Sequence, residues 1–288
     1  MTDCFDTLKN QEVSFMLLTG ISLISLLVAV VAGILSGLLW VAPLAFLGAF
    51  ILQAVLIFVT LVIICACVDL EKVQETDDKF FRWIVNLLAE AAMPVLSTRV
   101  HTSGTEQIPA DGRFLLVCNH ISDMDPVVLL RVFRDKQLCF ISKRENDRKF
   151  IVGPLLHKIG CQPINRENDR EALKTILRCV KMIENDAGSI AVFPEGYTSK
   201  DGLLHHFRHG AFKIAQKTHV PVVVCTLRGT EKVFHNAARL KRSQVQLHLV
   251  GVISPAEYAG KTTVELGQRV YEMMARDLGP ELVAQENT

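Results

Sequence analysis

The first quarter of the chain is almost purely apolar. Residues 13–68 form an unbroken stretch of 56 positions without Asp, Glu, Lys, Arg or His. One membrane-spanning helix needs about 20 apolar residues, so this stretch is long enough for two. Pro43 and the nearby Trp40, an aromatic residue of the kind found at membrane interfaces, mark its middle. The pattern predicts a hairpin of two transmembrane helices near residues 15–39 and 43–68, tilted because each exceeds the thickness of the hydrocarbon core.

The polar residues that flank the apolar stretch bear on its orientation. Both ends of a two-helix hairpin lie on one side of the membrane, and Lys72, Lys79 and Arg82 follow the second helix. Because basic residues are enriched on cytosolic flanks, we expect an integral membrane protein whose remaining domain is on the cytosolic face. A hairpin that dips into one leaflet and returns is the alternative. A cleaved signal peptide does not fit, because the leading residues are net acidic and the apolar stretch is too long.

Residues 77–96 form the next predicted helix. Apolar residues recur there at helical spacing: Phe81, Ile84, Val85, Leu88, Ala92 and Val95. Phe80 and Trp83 beside Arg82 also suit a helix that lies in the membrane interface. A plain amphipathic helix packed on the domain explains the same pattern. We therefore divide the chain into a membrane hairpin, residues 1–76, and a second domain, residues 77–288, which begins with this helix.

Beyond residue 99 the pattern changes to short apolar runs separated by helical stretches. Four of these runs are typical of buried strands: residues 114–118, 138–141, 190–193 and 222–227. Residues 245–252 alternate apolar and polar side chains, as an edge strand or a half-exposed strand does. Amphipathic helices are predicted at 168–184 and from a Thr262–Glu265 capping box to about Leu278. Strands that alternate with helices predict an α/β fold, with a mostly parallel sheet flanked by helices.

Charge and cysteine content agree with this division. The net charge is −5 over residues 1–79 and +6 over residues 80–288, which suits an anionic lipid surface or a phosphate-bearing substrate. An excess of that size also arises by ordinary variation. The eight cysteines contain no C-x-x-C pair, and several lie in apolar strand-like runs. Reduced thiols in a cytosolic domain are therefore expected.

The first candidate for chemistry follows the strand at 114–118. In the segment 119–125, Asn-His-Ile-Ser-Asp-Met-Asp, His120 would emerge at the carboxyl end of a strand, where α/β sheets place their sites. A neutral imidazole is suited to take a proton from a hydroxyl group, and Asp125 can return through a turn to orient it. Asp125-Pro126 is also typical of a helix start, with Asp125 as the cap.

Further blocks follow in order along the chain. They are Gly160-Cys161-Gln162-Pro163-Ile164-Asn165-Arg166, Phe193-Pro194-Glu195-Gly196-Tyr197-Thr198-Ser199 and Val220-Pro221-Val222-Val223. Together with the histidine block, these residues resemble the glycerolipid acyltransferase family that includes 1-acylglycerol-3-phosphate acyltransferase. That family has an N-H-x-S-x-x-D, a G-x-x-x-I-x-R, an F-P-E-G-T-R-S and a V-P-hydrophobic block in this order. The resemblance covers about residues 95–255.

The resemblance implies a role for each matching position. His120 would be the general base that removes the proton from the acceptor hydroxyl, and Asp125 would orient it. Four residues would bind or shape the acceptor: Lys143, Arg166, Glu195 and Gly196. Of these, Arg166 would contact the acceptor phosphate, for which a planar guanidinium is well suited.

Departures from the family pattern concern the acceptor most. The arginine of the F-P-E-G-T-R-S block is Thr198 here and the preceding threonine is Tyr197, while Val224 replaces a second proline often found in the last block. Loss of the arginine removes one charge-assisted contact to phosphate, worth about 1.5–3 kcal/mol when buried. Arg208 and Lys143 are the candidates to compensate.

The resemblance implies a membrane-bound enzyme, an acyltransferase that moves a fatty acyl group from an acyl thioester to the free hydroxyl of 1-acylglycerol-3-phosphate. The product would be phosphatidic acid for phospholipid biosynthesis. The expected partners are membrane lipids, a lysophospholipid acceptor and an acyl-CoA or acyl-carrier-protein donor, with no nucleic acid. No cofactor is expected.

Other interpretations remain open at this point. The acceptor could be another lysophospholipid, or the protein could bind lipid without catalysis. A hydrolase is disfavoured because the chain lacks a G-x-S-x-G elbow. His205, His206 and His209 have a spacing that resembles a metal site, but no carboxylate-rich segment accompanies them. We therefore expect no metal site.

Overall fold

The computed structural model describes the backbone of residues 2–38 and 40–284, and the side chains of residues 19–38 and 40–284. Position 39, the predicted end of the first helix, lies outside the described residues, as do the side chains at 13–18. The chain divides after Asp69 into two units, the second running from Leu70.

The first unit is a pair of long helices, α1 (Thr2–Ser36) and α2 (Val41–Ala66). Both contain segments long and apolar enough to cross a membrane, judged by length and composition. Gln53 on α2 donates a hydrogen bond from Nε2 to Ser25 Oγ on α1 at 2.9 Å. A Cβ atom at Gly33 would lie 3.3 Å from Ala42 Cβ, so the helices also approach closely near their connection. Helix α1 begins earlier in the chain than the sequence predicts.

The second unit is built from alternating helices and strands. Its helices are α3 (Lys79–Val95), α4 (Asp125–Val132), α5 (Val152–Lys158), α6 (Asp169–Glu184), α7 (Lys213–Thr218), α8 (Val233–Ala238), α9 (Pro255–Tyr258) and α10 (Thr263–Leu278). Its strands are β1 (Thr98–Ser103), β2 (Leu115–Cys118), β3 (Leu138–Lys143), β4 (Gln162–Ile164), β5 (Ser189–Val192), β6 (Val222–Arg228) and β7 (Ser243–Ile253).

These strands form one sheet in the order β1-β7-β6-β2-β5-β3-β4. All neighbouring pairs are parallel except β6 and β7, which are antiparallel. The central strands β2 and β5 are buried along their whole length, as continuous apolar runs in a parallel sheet should be. The predicted α/β class, with a mostly parallel sheet flanked by helices, is confirmed.

Two details of the sheet differ from the sequence prediction. Residues 245–252 lie within β7, which pairs on both sides and so is not an edge strand. Its alternating burial agrees instead with the half-exposed interpretation. Strands β1 and β4 were not predicted, because β1 is mostly polar and β4 has only three residues. Both occupy the edges of the sheet, where burial is weakest.

A buried ion pair connects the predicted interfacial helix to the sheet. Arg82 Nε lies 3.0 Å from Asp77 Oδ1, and the two side chains are 9% and 4% exposed. The Arg82 guanidinium also donates to the carbonyl oxygens of Leu138 and Ile159 at 2.9 and 3.1 Å. Burial raises the pKa of Asp77, and Arg82 opposes that rise. Arg82 therefore stabilises the interior of the second unit. Of the three basic residues expected to flank the second apolar helix at the membrane, only Lys72 and Lys79 can still serve that role.

We expect Arg82→Met to lower the free energy of unfolding by about 3–5 kcal/mol, because the buried Asp77 carboxylate loses its partner. The double variant Asp77→Asn/Arg82→Met should recover part of this loss, since no buried charge is then unpaired. Denaturant unfolding of the full chain in detergent micelles measures both. Equal losses in the single and double variants would contradict the electrostatic explanation.

Candidate active site

The candidate site lies where neighbouring central strands end. His120 comes two residues after β2, and Glu195 comes three residues after β5. Because β2 and β5 are adjacent and parallel, their carboxyl ends deliver both residues to the same edge of the sheet. The sheet therefore brings together two sequence blocks that are separated by about 75 residues of chain.

The His120 ring is held on three sides. Its Nδ1 lies 2.8 Å from Asp125 Oδ2, and its Nε2 lies 2.9 Å from Thr198 Oγ1. One face of the ring stacks on Phe193, with ring centroids 4.1 Å apart and an interplanar angle of 17°. The His120 side chain is 16% exposed. The imidazole thus has a fixed orientation and still reaches the surface.

Asp125 is fully buried, and its carboxylate accepts four hydrogen bonds. Besides His120, its Oδ2 accepts the backbone N–H groups of Ile121 and Ser122 at 2.7 and 2.8 Å. Its Oδ1 accepts the hydroxyl of Thr230. A carboxylate surrounded by donors must act as the acceptor, so the proton between Asp125 and His120 lies on Nδ1. In that tautomer Nε2 is an acceptor.

The alternative role of Asp125 as a helix cap is not the one observed. Helix α4 begins at Asp125 itself, Met124 precedes it, and no side chain caps the helix. Pro126 does occupy the first turn, as the sequence indicates. The Asp125 side chain turns back toward the preceding loop, so the aspartate stabilises the His120 turn.

Glu195 connects three segments of chain beneath the site. The side chain is 1% exposed. Its Oε1 accepts the backbone N–H of His120 at 2.8 Å, and its Oε2 accepts the N–H of His205 and the hydroxyl of Ser199 at 3.1 and 3.2 Å. Burial raises the pKa of Glu195, and these donors oppose the rise. All of these contacts are to other groups of the protein, so Glu195 supports the loops that form the site.

Beside this edge of the sheet lies a cavity of about 510 Å³. Its walls are largely apolar and include Ile141, Ile164, Leu173, Ile176 and Val192. Phe193, which stacks on His120, also lines it, so one aromatic ring connects the cavity wall to the candidate base. Charged side chains line it as well: Arg166, Arg208, Lys213 and Asp169. Such a space suits a molecule with an apolar part and an anionic part.

The structure places the predicted acceptor residues differently from one another. Arg166 and Gly196 line the cavity, whereas Glu195 is buried and does not line it. Lys143 does not line the cavity. Its side chain is 59% exposed and its Nζ lies 3.4 Å from Glu145 Oε1. The structure thus brings Arg166 and Gly196 to the cavity and leaves Lys143 at the surface.

The three histidines at 205–209 have separate environments. His205 Nε2 lies 3.0 Å from both carboxylate oxygens of Asp201. His206 stacks on Tyr271, and the His209 ring packs near Phe212. Among the side chains that the structure describes, those of residues 19–38 and 40–284, no group of three or more could hold a metal ion.

The part of the chain that contains this site is similar to known proteins. A family model described as Acyltransferase matches residues 99–228. Residues 99–228 are thus similar to the Acyltransferase family, and the chain is similar to proteins named 1-acyl-sn-glycerol-3-phosphate acyltransferase. This confirms the resemblance seen in the four sequence blocks.

Individual relatives show how far the similarity extends. A chloroplastic 1-acyl-sn-glycerol-3-phosphate acyltransferase of Brassica napus is 36% identical over 54% of this chain and 44% of its own length. The 1-acyl-sn-glycerol-3-phosphate acyltransferase of Bacillus subtilis is 27% identical over 64% of this chain and 94% of its own. The crystal structure of the 1-acyl-sn-glycerophosphate acyltransferase PlsC from Thermotoga maritima matches with a TM-score of 0.58 and 25% identity, covering 72% of this chain and 81% of that one.

Coverage of the plant relatives is partial. This chain spans 44% of the length of the Brassica napus relative and 43% of that of an Arabidopsis thaliana relative. The residues of this chain that the Acyltransferase family model matches, 99–228, include His120, Arg166 and Glu195.

Two residues that hold the site, Asn119 and Thr230, were not among the site residues predicted from the sequence. Asn119 exchanges hydrogen bonds with the backbone of Leu227 at 2.7 and 3.0 Å, joining β2 to β6. Thr230 donates to Asp125 across 105 positions of sequence. The sequence does point to Asn119, because this residue is the first of the N-H-x-S-x-x-D block. Thr230 had none, since only the folded chain brings it to Asp125.

We expect Glu195→Gln to lower the free energy of unfolding by about 1–3 kcal/mol and to reduce turnover. A glutamine amide would place an NH₂ group against N–H or O–H donors on one side, leaving buried donors unpaired. Denaturant unfolding and activity assays measure the two effects. The exposed Glu106→Gln is the matched control. Unchanged stability in Glu195→Gln would contradict this role.

Proposed function

We propose that the protein is a membrane-bound acyltransferase that acylates the free hydroxyl of 1-acylglycerol-3-phosphate, giving phosphatidic acid for phospholipid biosynthesis. The observation that carries the proposal is the Asp125–His120 pair, whose Nε2 atom already accepts a hydroxyl at 2.9 Å beside a partly apolar, partly basic cavity. The names of the Brassica napus, Bacillus subtilis and Thermotoga maritima relatives support the same substrate.

The geometry around His120 supports the following course for the proposed reaction. The Thr198 hydroxyl donates to Nε2, and the acceptor hydroxyl takes that place in the reacting complex. His120 Nε2 removes the hydroxyl proton while the oxygen attacks the carbonyl carbon of the acyl thioester. The carbon–sulfur bond then breaks, and the imidazolium returns the proton to the departing thiolate. Asp125 stabilises the imidazolium through Nδ1–H and does not itself take the proton.

The acyl donor is a thioester of coenzyme A or of an acyl-carrier protein. Both present the same carbonyl carbon and sulfur to His120, so the mechanism is common to them. The apolar walls of the cavity, among them Ile141, Ile176 and Val192, suit an acyl chain of either the donor or the acceptor.

Mass spectrometry of the lipids formed by the purified full chain tests the function. The chain is given a panel of lysolipids with each thioester donor in turn. Phosphatidic acid formed from 1-acylglycerol-3-phosphate is the expected product. Acylation of other lysophospholipids alone would assign a different acceptor, and no acyl transfer to any lysolipid would reject the proposal.

We expect His120→Ala to reduce turnover by about 10²–10⁴-fold, as the loss of a general base does, while the domain remains folded. Asp125→Asn should also impair turnover, because it removes the charge that stabilises the imidazolium. His235→Ala is a matched control, since this exposed histidine does not line the cavity. Near-normal acyl transfer by His120→Ala would contradict the mechanism.

The apolar helices α1 and α2 anchor the enzyme as a hairpin, with both ends and the second unit in the cytosol. A reporter cysteine at Asn10 or at Glu75, in a chain whose Cys4 and Cys67 are replaced by serine, tests this arrangement. Both positions should be labelled by a membrane-impermeant maleimide from the cytosolic side only. Labelling of the two positions from opposite sides would exclude a hairpin.

A further inference from the structure

The cavity contains a second guanidinium for which the family pattern gives no role. Arg166 and Arg208 both line the cavity, and Arg208 Nη1 lies 3.5 Å from the carbonyl oxygen of Arg166. Within the part of the chain that the structure describes, neither side chain forms an ion pair with a carboxylate. Burial lowers the pKa of Arg166, the nearby positive charge of Arg208 lowers it further, and Glu145 opposes the shift. An anion bound between the two guanidinium groups would reduce their mutual repulsion.

Arg208 is attached to the turn that has lost its arginine. The backbone N–H of Arg208 donates to Pro194 O at 2.7 Å. Its side chain crosses Gly196, where an added Cβ would lie 3.0 Å from Arg208 Cδ and 3.1 Å from Nε. Gly196 has a φ of +83° and no side chain, so it both forms the turn and leaves room for Arg208. The guanidinium therefore passes over the 193–199 block, within which Thr198 replaces the expected arginine.

Thr198 and Lys143 are poorly placed for the same task. The Thr198 hydroxyl points at His120 Nε2, and Thr198 does not line the cavity. Lys143 pairs with Glu145 and lies outside the cavity lining. Of the two residues that the sequence offers as substitutes for the missing cation, only Arg208 reaches the cavity that contains Arg166.

The charge of the lining matches one class of anion. Arg166, Arg208 and Lys213 with Asp169 give a net charge of +2. A phosphate monoester carries about −1.5 to −2 near pH 7, whereas a phosphodiester carries about −1. In a lysolipid with a choline or ethanolamine head group, that single charge is also balanced by the amine. The lining thus favours a monoester.

Resting on the proposed function, we propose that Arg208 takes the place of the missing arginine and, with Arg166, clamps the phosphate monoester of the acceptor. Two forked guanidiniums can each donate two hydrogen bonds to phosphate oxygens. Arg208 is then a specificity-determining residue that distinguishes 1-acylglycerol-3-phosphate from uncharged and zwitterionic acceptors.

Equilibrium binding tests this without turnover. The full chain carrying His120→Ala in detergent micelles is titrated with 1-acylglycerol-3-phosphate and with monoacylglycerol, with and without Arg208→Gln. We expect Arg208→Gln to weaken binding of the phosphate monoester by about ten-fold or more, and to leave monoacylglycerol binding unchanged. Arg208→Lys, which keeps the charge without the fork, should fall between. Arg239→Gln, an exposed arginine outside the cavity lining, is the matched control.

The outcomes separate this proposal from the proposed function. Unchanged monoester binding in Arg208→Gln, or equal weakening for both ligands, would overturn the role of Arg208. Synthesis of phosphatidic acid by the wild-type chain would still support the proposed function in either case. Selective loss of monoester binding would support Arg208 even in a chain that forms no phosphatidic acid. If the parent His120→Ala chain does not bind the monoester, the proposed role of Arg208 is also overturned.

Discussion

The site depends on one buried carboxylate. Asp125 is fully buried and accepts hydrogen bonds from the His120 ring, from two backbone N–H groups and from Thr230. A buried charge is tolerated when its acceptor sites are filled in this way. The same set of bonds fixes the loop after β2, the orientation of the imidazole and its tautomer. The orientation and the tautomer that His120 needs in its proposed role as a base both follow from these hydrogen bonds.

Glu195, which follows the neighbouring strand β5, also holds the loop that contains His120. Its carboxylate accepts hydrogen bonds from the His120 backbone and from Ser199 and His205, so one side chain links the loops that follow β2 and β5. The order of the sheet explains why blocks far apart in sequence act together. Phe193 extends the connection by stacking on His120 while lining the cavity where Arg166 and Arg208 lie.

Much of this could be predicted from sequence because the signals were local. Buried strands, the α6 helix with its Asn168 cap, and the histidine block each depend on nearby residues. The edge strands β1 and β4 were missed, because polar or very short strands lack a periodic signal. The contact of Thr230 with Asp125 and the passage of Arg208 over Gly196 are long-range consequences of packing. The same holds for Arg82, which resembled a membrane-flanking cation but is buried in the second unit.

The tautomer of His120 tests the central claim most directly. Nitrogen-15 NMR of the full chain in detergent micelles, with His120 assigned by comparison with the His120→Ala spectrum, distinguishes a protonated from an unprotonated ring nitrogen. For the neutral ring, we predict a proton on Nδ1, facing Asp125, and none on Nε2. A proton on Nε2 with a bare Nδ1 would contradict it, because the atom facing the acceptor hydroxyl could then not act as a base.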